Sequence, residues 1–60
     1  MKKFRNLTRG TIFESDEVDY RHVKLSATVA VPVVDYRVFA EKQYIPLLSK
    51  RVAVVGHIAD

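Results

Sequence analysis

From His22 to Val33 the chain alternates: Val23, Leu25, Ala27, Val29, Val31 and Val33 fall between His22, Lys24, Ser26, Thr28, Ala30 and Pro32. A period of two sends successive side chains to opposite faces of an extended backbone, and β-branched valines lose rotamer freedom in a helix. The pattern predicts one long antiparallel strand over 22–33 with its aliphatic side against a core and its polar side in water. Pro32 has no amide proton to give to a ladder, so it is expected at the strand's end, on an edge or at a bulge.

Shorter segments flank this strand. Thr11, Ile12 and Phe13 form an apolar piece after Gly10, and the acid-rich Glu14–Asp19 stretch reads as a solvated loop leading into the long strand. Over 35–44 a strand and a short helix compete. Asp35 could cap a helix at Tyr36, but Pro46 limits its length and Tyr, Val and Phe are middling helix formers, so strand is favoured. Pro46 suits the first position of a single helical turn over 46–50. Val52–Val55 is a β-branched run closed by Gly56, with His57, Ile58 and Ala59 continuing past a bulge or kink. The expected fold is mainly β: a small twisted antiparallel sheet, or an open SH3-like barrel, of four to five strands with one short helical turn.

Sixty residues form one domain and hide only roughly 60% of the surface of the unfolded chain, so the core is thin. Without cysteine there is no disulfide or thiolate metal clip, which leaves self-association as the remaining staple and a homo-oligomer as the expected state. With 48% apolar and 28% charged residues the chain has the composition of a folded globule. The longest nearly apolar stretch, 27–34, falls far short of the roughly 20 residues of a spanning helix, and no apolar run follows the basic start as a secretory signal requires. A cytoplasmic protein with no membrane partner is expected.

The positive charge is concentrated at the start. Lys2, Lys3, Arg5 and Arg9 fall within ten residues that contain no acid, whereas the other fifty hold six Lys or Arg against seven Asp or Glu. Residues 1–9 therefore read as a basic N-terminal arm on a single small β-rich domain over 10–60. An arm of this kind can follow a phosphate backbone, with Phe4 free to stack on a base. The alternatives are a poorly ordered, solubilising terminus, or a structural segment if Phe4 and Leu7 pack on the sheet as part of a first strand. The tetrad Val18-Asp19-Tyr20-Arg21 recurs as Val34-Asp35-Tyr36-Arg37. Tyr20, Arg21, Tyr36 and Arg37 thus enter as candidate contacts at two strand starts, since tyrosine and arginine dominate binding hot spots for nucleic acid and protein alike.

Other constellations point away from chemistry. Glu14, Asp16, Glu17 and Asp19 lack the spacing and glycine of a calcium loop, and His22 and His57 have neither cysteine nor helical spacing to make a metal site. Ser15, Ser26 and Ser49 stand outside any Gly-x-Ser-x-Gly turn, and two glycines cannot build a phosphate-cradling loop. The expectation is a non-catalytic binding protein without metal or cofactor. It binds nucleic acid, in a regulatory capacity, through Lys2, Lys3, Phe4, Arg5, Arg9, Tyr20, Arg21, Tyr36 and Arg37. The alternative is a protein-interaction module, a small inhibitor or assembly subunit, that pairs an edge strand or an apolar patch with another chain.

Overall fold

The computed structural model describes residues 1–58. Its strands are β1 (Lys2–Lys3), β2 (Thr11–Glu14), β3 (His22–Lys24), β4 (Ala30–Val34), β5 (Arg37–Val38) and β6 (Arg51–His57), with one 3₁₀ turn at Phe4–Asn6. They form a single open sheet in the order β1-β6-β2-β3-β4-β5, antiparallel at every junction. The mainly β class is as expected, although the sheet has six strands among the described residues instead of four to five. The additional one, β1, comes from the basic segment.

The long strand over 22–33 is a hairpin instead. At the rise of an extended chain it would be about 40 Å long, and the greatest extent of the molecule is 26 Å. The break falls where the alternation is carried by small residues. The Leu25 and Ser26 amides donate to the Val29 carbonyl at 2.9 and 3.2 Å, and the Ser26 hydroxyl accepts from the Val29 amide at 3.2 Å, so serine closes its own turn. The solvent face expected for the polar residues is lost as well. His22, Val23 and Lys24 are all buried, because both sides of β3 are covered.

Registers divide the sheet into two faces. Ile12, Val23 and Val31 are aligned on one, while Phe13, His22 and Pro32 are aligned on the other. The second face carries the main cluster of Phe4, Leu7, Phe13, Ala30 and Val52 with Tyr44 packed against it, and the Phe4 and Phe13 rings meet edge to face at 5.6 Å. Residues 1–9 are therefore part of the folded sheet: β1 pairs with β6, the Phe4 amide donates to the Lys50 carbonyl at 2.8 Å, and Phe4 and Leu7 are core.

Lys24 fastens this segment. Its ammonium, on a side chain only 4% exposed, donates to the Phe4 carbonyl at 2.8 Å and the Leu7 carbonyl at 2.9 Å, and lies 4.5 Å from the Phe4 ring centroid. Those carbonyls belong to the 3₁₀ turn and its C-cap: the Phe4 carbonyl, which already accepts from the Leu7 amide at 3.1 Å, gains a second donor, and the Leu7 carbonyl beyond the turn gains one.

Pro32 lies inside β4, not at an end or an edge. Its missing donor faces β5, where its carbonyl accepts from the Phe39 amide at 3.0 Å but no bond can be returned. The chain leaves β4 there. Continuing the register of Val33 with Val38 would pair Ala30 with residue 41, yet Ala30 bridges to Tyr44, so three extra residues loop out. This keeps β5 to two residues and answers the choice over 35–44 as a minimal strand followed by a loop. Asp35 and Tyr36 are not a helix start: both have positive φ, 52° and 64°, the signature of a type I′ hairpin turn. No helical turn forms near Pro46, where a turn closes with the Lys50 amide on the Leu47 carbonyl at 2.9 Å.

The last strand shows the predicted irregularity. The ladder between β2 and β6 slips between Ile12 and Phe13, leaving Val55 unmatched between Val54 and Gly56. Ala59, expected to prolong this strand, lies outside the described residues. Gly10 has φ 91°, and a Cβ there would stand 2.9 Å from His57 Cε1, so only glycine fits between β6 and the start of β2.

Two outcomes follow. Lys24→Met removes the donor from two carbonyls and should destabilise the chain by about 2–3 kcal/mol, read from the urea midpoint. Burial also holds the Lys24 pKa below 10.5. The unfolded chain therefore binds more protons between the folded pKa and 10.5, and stability from this group rises with pH across that window. The difference between wild type and Lys24→Met should grow accordingly. Separately, replacing Asp35-Tyr36 with Asn-Gly should stabilise the hairpin by about 1 kcal/mol, because both positive φ values then come without Cβ strain or with an asparagine that tolerates it.

Candidate nucleic-acid interface

The strand pair at one edge of the sheet gathers the basic groups. Lys3 is registered directly opposite Arg51 and Lys2 opposite Val52. Arg5 follows in the 3₁₀ turn, where its amide donates to the Leu48 carbonyl at 3.0 Å and its side chain is exposed. The ion pairs among the described residues use other cations, Arg21 with Glu14 at 3.4 Å and Lys50 with Asp16 at 2.6 Å. Lys3 and Arg51 thus face each other across a ladder with no carboxylate among the described residues bound to either. Arg51 was not among the expected contacts, because only the register shows which residue stands opposite the basic segment.

Phe4 is withdrawn from the interface. Its ring is wholly buried against Phe13, so it cannot stack on a base. Arg9 is exposed beyond the 3₁₀ turn, and its carbonyl accepts a hydrogen bond from His57 Nε2 at 3.0 Å. That residue lies at the opposite end of β6 from Arg51, about 20 Å away along an extended strand.

The two Tyr-Arg pairs do stand at strand starts, Tyr20-Arg21 just before β3 and Tyr36-Arg37 entering β5. Alternation then splits Tyr20 from Arg21. Tyr20 borders an open depression with Pro32, Val34, Phe39 and Lys42, whereas Arg21 borders another with Ile12, Val33, Asp35 and Tyr36. Arg21 and Tyr36 thus border the same depression, and Tyr20 lies on the other face. Arg37 is exposed at the sheet's far edge.

The acidic loop is tied down beside the start of β6, next to Arg51. Tyr44 Oη donates to Glu17 Oε1 at 2.6 Å and lies 2.9 Å from Ser15 Oγ, while Asp16 holds Lys50. Burial and the Glu17 carboxylate push the Tyr44 phenol above its usual pKa. His22 is packed inside, with its Nδ1–H donating to the Tyr20 carbonyl at 2.7 Å and its ring edge-on to Tyr44 at 5.1 Å. Among the described residues no group of three or more His, Asp or Glu is placed to hold a metal ion, and no helix is long and apolar enough to cross a membrane.

The chain matches no protein-family model, no curated protein and no solved structure.

A raised tyrosine pKa means that the folded state holds its proton more firmly. The associated stability is present below pH 10.0, the ordinary value, and is lost as pH rises through the folded pKa. Tyr44→Phe should cost about 1 kcal/mol at neutral pH and should lose less stability than wild type above pH 10, measured by urea unfolding at each pH.

Proposed function

We propose that this chain is a small, non-catalytic, cytoplasmic and regulatory protein that binds nucleic acid through the phosphate backbone, with Lys2, Lys3, Arg5 and Arg51 as the first contacts. The observation that carries the reading is the register of Lys3 against Arg51. Like charges directly opposite on a ladder weaken the pair, and no carboxylate among the described residues binds either of them. An external polyanion relieves that repulsion. Lysines on a two-residue edge strand also discourage strand addition. That accounts for Lys2 and Lys3, but not for Arg51, which begins an interior strand.

A second reading has its own observation. Ile45, Leu47 and Leu48 are exposed on the loop before β6, with Leu47 77% accessible. Such a loop suits a protein-interaction module or a homo-oligomer in which this apolar patch meets another chain.

Salt separates the two. Against a labelled 20-base-pair duplex, log K should fall with log salt with a slope of about −3 to −4 if the four cations each contact a phosphate. Lys3→Glu with Arg51→Glu should weaken binding more than tenfold and flatten that slope by about two. Salt-independent binding, or no binding of either this duplex or a 12-base single strand at about 50 mM salt, would overturn the nucleic-acid reading. Association that grows with protein concentration in sedimentation, and is lost with Leu47→Ser, would favour the second.

A further inference from the structure

The hairpin between β4 and β5 carries a residue that the fold does not explain. Tyr36 has φ 64° and is 102% exposed, so its ring packs on none of the described residues. Glycine or asparagine would hold the same turn with less strain. Neither packing nor the backbone selects a tyrosine there, and strain kept at an exposed aromatic points to use outside the fold.

Next to it lies an open depression of about 310 Å³ lined by Ile12, Arg21, Val33, Asp35 and Tyr36. Ile12 and Val33 supply an apolar floor, and Arg21 is steadied by its contact with Glu14 at 3.4 Å. Counting Arg21, Glu14 and Asp35, the local charge is negative, which disfavours an acidic peptide or a phosphate seated in the depression, so a strand docked here enters by its base with the flanking phosphates outside. A neutral, flat heteroaromatic with N–H groups on its edge suits every lining group. Tyrosine rings and guanidinium planes both stack on unpaired bases, and a carboxylate accepts from exocyclic base amines.

We infer that the Asp35-Tyr36 turn and the depression beside it form a docking site for one unpaired nucleobase, with guanine preferred. Guanine sets an N–H and an NH₂ side by side on its pairing edge, which matches the two oxygens of Asp35. That edge is free only in single strands. The inference rests on the nucleic-acid reading and narrows it: phosphates meet the Lys3–Arg51 edge, a base meets Tyr36, and the target is single-stranded.

The test is fluorescence anisotropy of the full chain at 100 mM salt with four probes: T₁₂, the same strand with one central guanine, that guanine replaced by inosine, and a duplex. The guanine strand should bind about tenfold more tightly than the duplex and about fivefold more tightly than T₁₂, with inosine, which lacks the exocyclic amine, in between. Tyr36→Ala should lower the guanine strand's affinity about tenfold, within the range for loss of one stacking contact. Asp35→Asn, which keeps a residue tolerant of positive φ, should erase the preference for guanine over T₁₂. The Asn-Gly hairpin variant, more stable than wild type, should lose both effects, which separates loss of binding from loss of folding.

If duplex and single strand bind equally, or Tyr36→Ala changes nothing, this inference fails while phosphate binding through Lys3 and Arg51 stands. If no probe binds with salt dependence, both fail. Tyr36-dependent binding of an arginine-rich peptide, with none to oligonucleotides, would overturn the inference and assign the hairpin to a protein partner.

Discussion

A buried cation, paired with no carboxylate among the described residues, fastens this fold. Lys24 gives its ammonium to the carbonyls of Phe4 and Leu7, and through them joins the N-terminal segment to β3 on the far side of β6 and β2. An ammonium out of water is costly unless it is hydrogen-bonded, and two short bonds and an aromatic face offset that cost. The return is considerable. Phe4 enters the core against Phe13, β1 pairs with β6, and the final strand is held between two N-terminal ones. A chain of 60 residues has too little apolar area to leave nine of them outside the globule.

This fastening explains both the success and the failure of reading the sequence. The β class was legible, because the alternation in Val23–Val33 and the β-branched run in Val52–Val55 are local signals. The irregularity at Gly56 was legible for the same reason. A strand of the full 22–33 length failed on size, since no element of that length fits the molecule, and Ser26 supplies the turn that divides it. Lys24 read as a solvent-facing residue, because alternation reports two faces and does not report that both are covered. Its burial depends on carbonyls contributed by residues about twenty positions away.

The same limit applied to the candidate site. Charge segregation in Lys2, Lys3, Arg5 and Arg9 is visible in the sequence, but the group completing the edge, Arg51, is brought there by register alone. Phe4 looked like an aromatic set among free cations, and its burial follows from the core's need for a second large ring beside Phe13. The repeated Tyr-Arg pairs were correctly placed at strand starts. Alternation alone sends adjacent Tyr20 and Arg21 to opposite faces; what their sequence could not convey is that the hairpin would set Tyr36 at the same depression as Arg21.

The basic edge and the strained hairpin lie at opposite ends of the sheet order, with β6, β2, β3 and β4 between β1 and β5. Strands about 4.8 Å apart put those ends roughly 24 Å from each other across a flat sheet, and less where it twists and curls. A compact ligand cannot meet both. An extended strand of several nucleotides can, with its backbone at Lys3 and Arg51 and one base turned toward Tyr36. The carboxylates on this path are already engaged: Glu14 steadies Arg21, Asp16 holds Lys50, and Glu17 is bonded to Tyr44. These contacts hold the acidic loop beside the start of β6, where its charge opposes a polyanion. The nucleotide backbone is therefore favoured on the Lys2, Lys3 and Arg5 side of Arg51, and the tether that stabilises the core face also shapes the field at the proposed interface.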